Sequence, residues 1–185
     1  MNGTRLRPTP TGDELAAMYP APHDHRAYGA GHDLRVRASI AVGQWLADDC
    51  DAALVADLTA GVGTIASGIA HPRGADVILG DLATTGQRIE DSAQALEPVD
   101  VYICTETLEH LDDPAAALDL IRAKARRLLV SFPHRDDVDD NPEHLWQWTV
   151  TEAEALLHET GWRPLTSLVL QVPDGPYRYS IWGCA

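Results

Sequence analysis

Glu106, Glu109 and His110 stand at i, i+3 and i+4 in the stretch Glu106-Thr107-Leu108-Glu109-His110-Leu111. On a helix this spacing turns two carboxylates and an imidazole toward one side. Joined by His144, from Asn141-Pro142-Glu143-His144, they make a set of two glutamates and two histidines that could hold a metal. Mixed oxygen and nitrogen donors suit Mg, Mn, Fe or Zn without strong selection among them. A plainer reading stays open, in which Leu108 and Leu111 pack in the core while Glu109 and His110 satisfy nearby backbone. Another cluster lies in Tyr19–His32, where prolines and glycines surround His23, His25, Arg26, Tyr28 and His32. A histidine can act as a general base near neutral pH, so His25 joins Glu106 and His110 as a catalytic candidate. His23, Arg26 and Tyr28 offer substrate contacts, as do His144 and Trp146. Trp146 and Trp148 could stack on a planar substrate or cation, or belong to the core or its rim.

Such groups need a scaffold, and the strongest scaffold signal is Leu54 to Ala70. An apolar run ends in Asp57, a loop of small residues follows, and an alanine-rich segment resumes with helical spacing, so the expected sequence is strand, tight turn, helix. Gly61 and Gly63 would let the backbone approach a ligand or adopt positive φ. Ala75-Asp76-Val77-Ile78-Leu79-Gly80-Asp81 predicts a second buried strand ending in an acid. Asp81 follows the turn at about the separation of a ribose-binding carboxylate.

Asp57-Leu58-Thr59-Ala60-Gly61-Val62-Gly63 resembles the Asp-Leu-Gly-Cys-Gly-x-Gly loop of class I S-adenosylmethionine-dependent methyltransferases. Asp81, Val99–Cys104, Thr105–Leu111 and Leu128–Pro133 agree with that family in order, so the resemblance covers most of the chain after about Leu34. Thr59 departs from it, standing where the first glycine is usual, which implies a less tight turn. The resemblance implies a Rossmann-like α/β fold with a seven-stranded, mostly parallel sheet and an antiparallel terminal strand. It implies S-adenosylmethionine as cofactor, with Asp57, Thr59, Ala60, Gly61 and Gly63 at its amino-acid end and Thr105 among the other cofactor contacts. Asp81 would take the ribose, Leu82 the adenine face, and Glu90 or Asp91 its amino group. The Glu106–His110 and His144 pattern, with Trp146-Gln147-Trp148-Thr149 after it, is similar to the small-RNA 3′-terminal 2′-O-methyltransferases, which implies a divalent metal holding a terminal ribose. Glu-His-Leu after the fourth strand also occurs in class I members without metal.

With 185 residues, 45% of them hydrophobic, the chain is expected to form a single domain, 1–185. The segment 1–32 would be lid-like and 33–185 the Rossmann-like core. The net charge of −14 disfavours nucleic acid as a partner. The resemblance then implies methyl transfer to an O or N atom of a small polar or nucleotide-like acceptor. Methylation of an RNA or DNA terminus, and a non-catalytic cofactor-binding regulatory subunit, are the alternatives. Three scattered cysteines suggest reduced thiols in a cytoplasm, and neither a signal peptide nor a membrane anchor is expected. Met1 to Thr11 is expected to be mobile, and Gly12 to Met18 to form a short helix capped by Thr11. Asp33 to Asp48 has the pattern of an amphipathic helix. Leu82 to Pro98 is short for its place in such a fold, and Arg88-Ile89-Glu90-Asp91 is expected to be a vestigial third strand. A helix is expected from near Thr107. Leu165–Val172 and Tyr177–Trp182, around Pro173-Asp174-Gly175-Pro176, predict a terminal hairpin.

Overall fold

The computed structural model of the chain describes residues 3–24, 30–172 and 175–185. Strand β1 (Thr4–Arg5) and helix α1 (Gly12–Met18) lead into the long helix α2 (Ala30–Asp49). The core then alternates β2 (Leu54–Asp57), α3 (Thr64–Ala70) and β3 (Asp76–Leu79), followed by α4 (Leu82–Thr85) and α5 (Ile89–Ala95). After these come β4 (Val99–Thr105), α6 (Pro114–Arg122), β5 (Ala125–His134), β6 (Trp146–Gln147), α7 (Val150–Glu159), β7 (Pro164–Gln171) and β8 (Arg178–Cys184).

The main sheet has the order β3-β2-β4-β5-β8-β7. β3, β2, β4 and β5 are parallel, and β8 runs antiparallel between β5 and β7. Val55, Val101, Ile103 and Leu129 face α2 and α3, while Tyr102, Leu128, Val130 and Phe132 face the opposite layer. This alternation is what a parallel sheet covered on both faces requires. The chain reverses direction of winding between β3 on one side of β2 and β4 on the other, and that crevice is where ligands bind in open α/β sheets.

Several elements carry their sequence signals through. Thr11 and Glu14 form a capping box for α1, as Thr149 and Glu152 do for α7, and Gly161 ends α7 with φ +76. Four expectations need correction. β3, expected to be a buried strand, is the exposed edge of the sheet, flanked among the described residues only by β2, with Leu79 51% exposed. Among the described residues the sheet has six strands rather than seven, because Arg88–Asp91 caps and opens helix α5 instead of forming a third strand. Its acids suit a helix's first turn, and Ile89 and Ala93 are its buried contacts. The helix expected from Thr107 is a single 3-10 turn, Leu108–His110. The described residues before Thr11 are not loose, since Thr4 and Arg5 pair with Gln147 and Trp146. No helix of the described residues is long and apolar enough to cross a membrane.

Candidate active site

A cavity of about 480 Å³ opens at the carboxyl ends of β2 and β4, large enough for a small-molecule ligand. Asp57 ends β2 in its wall, 3% exposed, and accepts from Thr59 N at 3.0 Å. Burial lifts its pKa to about 7, against the hydrogen bonds from Thr59 that favour the charged form. Thr59 costs the turn little. Its φ is not positive, and its hydroxyl meets that of Thr107 at 2.9 Å, tying the loop to the end of β4. Gly61 is needed, with φ +53 and a position where a Cβ would come within 2.4 Å of the His23 carbonyl oxygen.

That carbonyl also accepts from Val62 N at 3.1 Å, and Tyr19, Ala21 and His23 belong to the cavity wall. The described part of the N-terminal segment therefore crosses the glycine loop. His25, Arg26 and Tyr28 lie outside the described residues. Asp81 bridges two elements, accepting from Gly61 N at 2.9 Å and, as the cap of α4, from Ala83 N at 3.0 Å. Leu82 and Glu90 continue the wall beyond it. One carboxylate oxygen of Glu90 is buried with no hydrogen-bond partner, an acceptor awaiting a donor. Ala60 and Thr105 also line the cavity. Gly63, Asp91 and Trp146 do not. Gly63 caps α3 with φ +76, Asp91 is exposed, and Trp146 stacks on Trp148 with ring centroids 6.0 Å apart.

At the other end of the cavity, Glu109, His110 and His144 bring one ligand atom each within 4.8 Å of one another. Glu109 is fully buried, and neither carboxylate oxygen has a hydrogen-bond partner. Burial, helped by the neighbouring Glu106, pushes its pKa well up. His110 is held by its Nδ1, which lies 3.0 Å from the Glu143 carbonyl and 3.1 Å from the Tyr19 hydroxyl. A carbonyl can only accept, so Nδ1 carries the hydrogen and Nε2 keeps its lone pair. Burial, with His144 and His23 nearby, pushes the His110 pKa down to about 3, leaving a neutral ring.

His144 places its Nδ1 2.7 Å from Asp139 Oδ2. Burial would raise the Asp139 pKa, but bonds from Asn141 N, His144 and Tyr177 hold it below the usual carboxylate range. Asp139 is thus ionised and His144 donates. A buried carboxylate without donors, beside two imidazoles each fixed through Nδ1, is a donor set that fits a divalent cation once the Asn141 amide, 3.0 Å from His144 Nε2, turns away. Glu106 is outside this group. It has φ +53, and its Oε1 accepts from the Ser131 hydroxyl at 2.7 Å.

Two contributors carried no obvious sequence signal. Arg7 donates to the His144 carbonyl at 2.7 Å and to the Asp139 carbonyl at 3.1 Å, and Leu6 N donates to the Leu145 carbonyl at 2.8 Å, so the N-terminal arm holds the His144 loop. Arg35 of α2 reaches the cavity although its position fits a plain helix pattern.

Neither a family model nor a curated protein matches the sequence. Solved structures do match in fold. The 1,6-didemethyltoxoflavin-N1-methyltransferase of Burkholderia thailandensis, with 1,6-didemethyltoxoflavin and S-adenosylhomocysteine bound, is 18% identical, at a TM-score of 0.71 over 98% of this chain and 93% of that one. Magnesium protoporphyrin IX methyltransferase from Synechocystis PCC 6803, with S-adenosylmethionine bound, is 19% identical, at a TM-score of 0.69 over 97% and 99%. An S-adenosylmethionine-dependent methyltransferase from Archaeoglobus fulgidus is 15% identical, at a TM-score of 0.65 over 85% and 96%. With its switch-point crevice, glycine loop and antiparallel β8, the chain has the Rossmann-like fold of the class I S-adenosylmethionine-dependent methyltransferases.

Proposed function

We propose that the chain is an S-adenosylmethionine-dependent methyltransferase acting on an oxygen or nitrogen atom of a small acceptor. The observation that carries this reading is one continuous cavity that joins the carboxylates around Gly61 to the Glu109–His110–His144 group. The first end suits the cofactor. Asp57 meets a cationic sulfonium or ammonium, Asp81 the ribose hydroxyls, and the unpartnered oxygen of Glu90 the adenine amino group. The other end suits the acceptor.

In the reaction an acceptor lone pair forms a bond to the methyl carbon in line with the carbon–sulfur bond. That bond breaks, its electron pair stays on sulfur, and the acceptor's proton leaves to the wall or to water. Alignment does much of the work, worth on the order of 7 to 11 kcal/mol for well-oriented reactants. Tyr19, Ala21 and His23 close the cavity over the glycine loop and keep water from the methyl group.

A divalent cation held by Glu109, His110 and His144 would supply acidity to a hydroxyl acceptor. The unpartnered Glu109 carboxylate favours this metal-assisted form. It keeps open a nucleic-acid terminus as acceptor, against which the charge of −14 weighs. A non-catalytic cofactor-binding subunit would bind the cofactor yet transfer nothing. The test is calorimetric binding of S-adenosylhomocysteine, followed by a labelled-cofactor screen of acceptors with and without Mg, Mn, Fe or Zn. An absence of S-adenosylhomocysteine binding refutes the reading, while binding without transfer to any acceptor favours the regulatory alternative.

A further inference from the structure

We propose that Arg35 is an anion subsite for the acceptor, taking a carboxylate or phosphate group carried by the molecule that is methylated. This rests on the methyltransferase reading above.

Arg35 is 6% exposed and lies in the cavity wall, yet its Nε and Nη1 have no hydrogen-bond partner among the described residues. Its Nη2 lies 3.5 Å from His32 Nδ1, and its Cζ stands 5.7 Å from the centre of the Tyr179 ring. A guanidinium stays charged and offers its donors as a planar fork matched to two oxygens of one anion. Burying its donors without acceptors is unfavourable, and one that faces a cavity is completed by what enters that cavity. Glu109 is near enough to feel the charge of Arg35, but no nearby carboxylate hydrogen-bonds its Nε or Nη1. Glu106 Oε1 is engaged by Ser131, and both oxygens of Glu109 lack a hydrogen-bond partner.

The position separates this subsite from the cofactor end. Tyr179 lies on β8, three strands along the sheet from β2 and its glycine loop, or about 14 Å at ordinary strand spacing. Asp57, Asp81 and Glu90 all surround the cofactor end and would repel an acidic acceptor there. Arg35 gives such a molecule one orientation, with its anion toward β8 and its nucleophile toward β4.

The test uses calorimetry on the full chain with S-adenosylhomocysteine present. Two matched pairs of probes are compared: 4-hydroxybenzoate with 4-hydroxybenzamide, and ribose 5-phosphate with ribose. The anion of at least one pair should bind about tenfold tighter than its neutral twin, and the pair that responds tells carboxylate from phosphate. Arg35→Gln should erase that preference and leave S-adenosylhomocysteine affinity within about twofold, while Arg35→Lys, which keeps the charge and loses the fork, should fall between. Arg35→Gln should also raise the melting temperature of the ligand-free chain, because an unpaired buried charge is removed; a merely structural arginine would lower it. The proposal is overturned if neither pair shows a preference, if the glutamine variant keeps one or melts lower, or if that variant loses cofactor affinity while keeping the preference. Failure of the wild-type chain to bind S-adenosylhomocysteine counts against the methyltransferase reading, and the melting measurement still tests Arg35.

Discussion

His144 donates its Nδ1 hydrogen to Asp139, 2.7 Å away, and so leaves Nε2 as the ring's only acceptor. The Asn141 side-chain amide occupies that Nε2 at 3.0 Å, with its own orientation fixed by Glu143 N donating to Asn141 Oδ1. Asp139→Asn would therefore loosen a ligand without touching the cation. Titration of Mn or Zn into the full chain should show roughly tenfold weaker binding for the variant than for wild type, and His144→Ala should abolish the response. Equal binding by all three proteins would remove the metal from the mechanism.

Asp57 sets a pH dependence with a definite sign. Below its ordinary carboxylate pKa the group is protonated in both folded and unfolded chains. Between that value and about 7 only the folded chain keeps the proton, so the contribution to stability is full at acid pH and is lost as pH rises through about 7. Denaturation curves should show this loss, on the order of a few kcal/mol, and Asp57→Asn should flatten it. Cofactor binding runs the other way. A cationic ligand favours the carboxylate, so affinity should climb as pH rises through about 7 and protons should be released. Affinity that falls over this range would show that Asp57 does not face the cation.

Asp81 has two jobs that substitutions can separate. It caps α4 and fastens Gly61, so Asp81→Ala should cost about 1 kcal/mol of stability as well as cofactor affinity. Asp81→Asn keeps a good cap but accepts from Gly61 N and ribose with half the carboxylate's capacity. It should melt near wild type and still bind S-adenosylhomocysteine about tenfold more weakly, as calorimetry would report. Unchanged affinity in both variants would take the ribose away from Asp81.

The N-terminal arm and the segment after it can be tested apart. Removing residues 1–9 deletes the contacts of Leu6 and Arg7 with the His144 loop, so divalent binding should weaken while S-adenosylhomocysteine binds as before. Removing residues 1–24 also deletes the His23 contact with the glycine loop, and cofactor binding should then drop too. Normal methyl transfer by the longer deletion would show that this segment is no lid.

The cofactor end was legible because its chemistry is local. Asp57, Gly61 and Asp81 sit within one βαβ unit, where a turn needing positive φ and strands ending in acids leave a pattern in a single stretch. The acceptor end was legible in residue types but not in geometry. Glu106-x-x-Glu109-His110 has helical spacing, yet the chain turns at Glu106 with φ +53 and makes only a 3-10 turn, so Glu106 leaves the group that Glu109 and His110 share with His144. Arg35 and Arg7 were hidden because their roles depend on what lies across the fold from them. A basic residue on an amphipathic helix or in a Pro-rich arm is ordinarily solvent-facing, and nothing local marks these two as inward. The third strand was misread for a related reason, since four residues of mixed polarity have no period of their own.

The pairing of Thr4–Arg5 with Trp146–Gln147 has a kinetic side. It is two residues long and closes a very large loop, Arg7 and His144 being 137 positions apart, so few bonds offset the entropy of closure. Such a clasp is expected to dock after the sheet has formed and to open before it, at a free energy well below global unfolding. Amide exchange at Leu6, whose N–H donates to the Leu145 carbonyl, should then be faster than in β4 or β5 by orders of magnitude. The acceptor end would be assembled by the last contact to form, letting His144 come and go on a folded cofactor cleft.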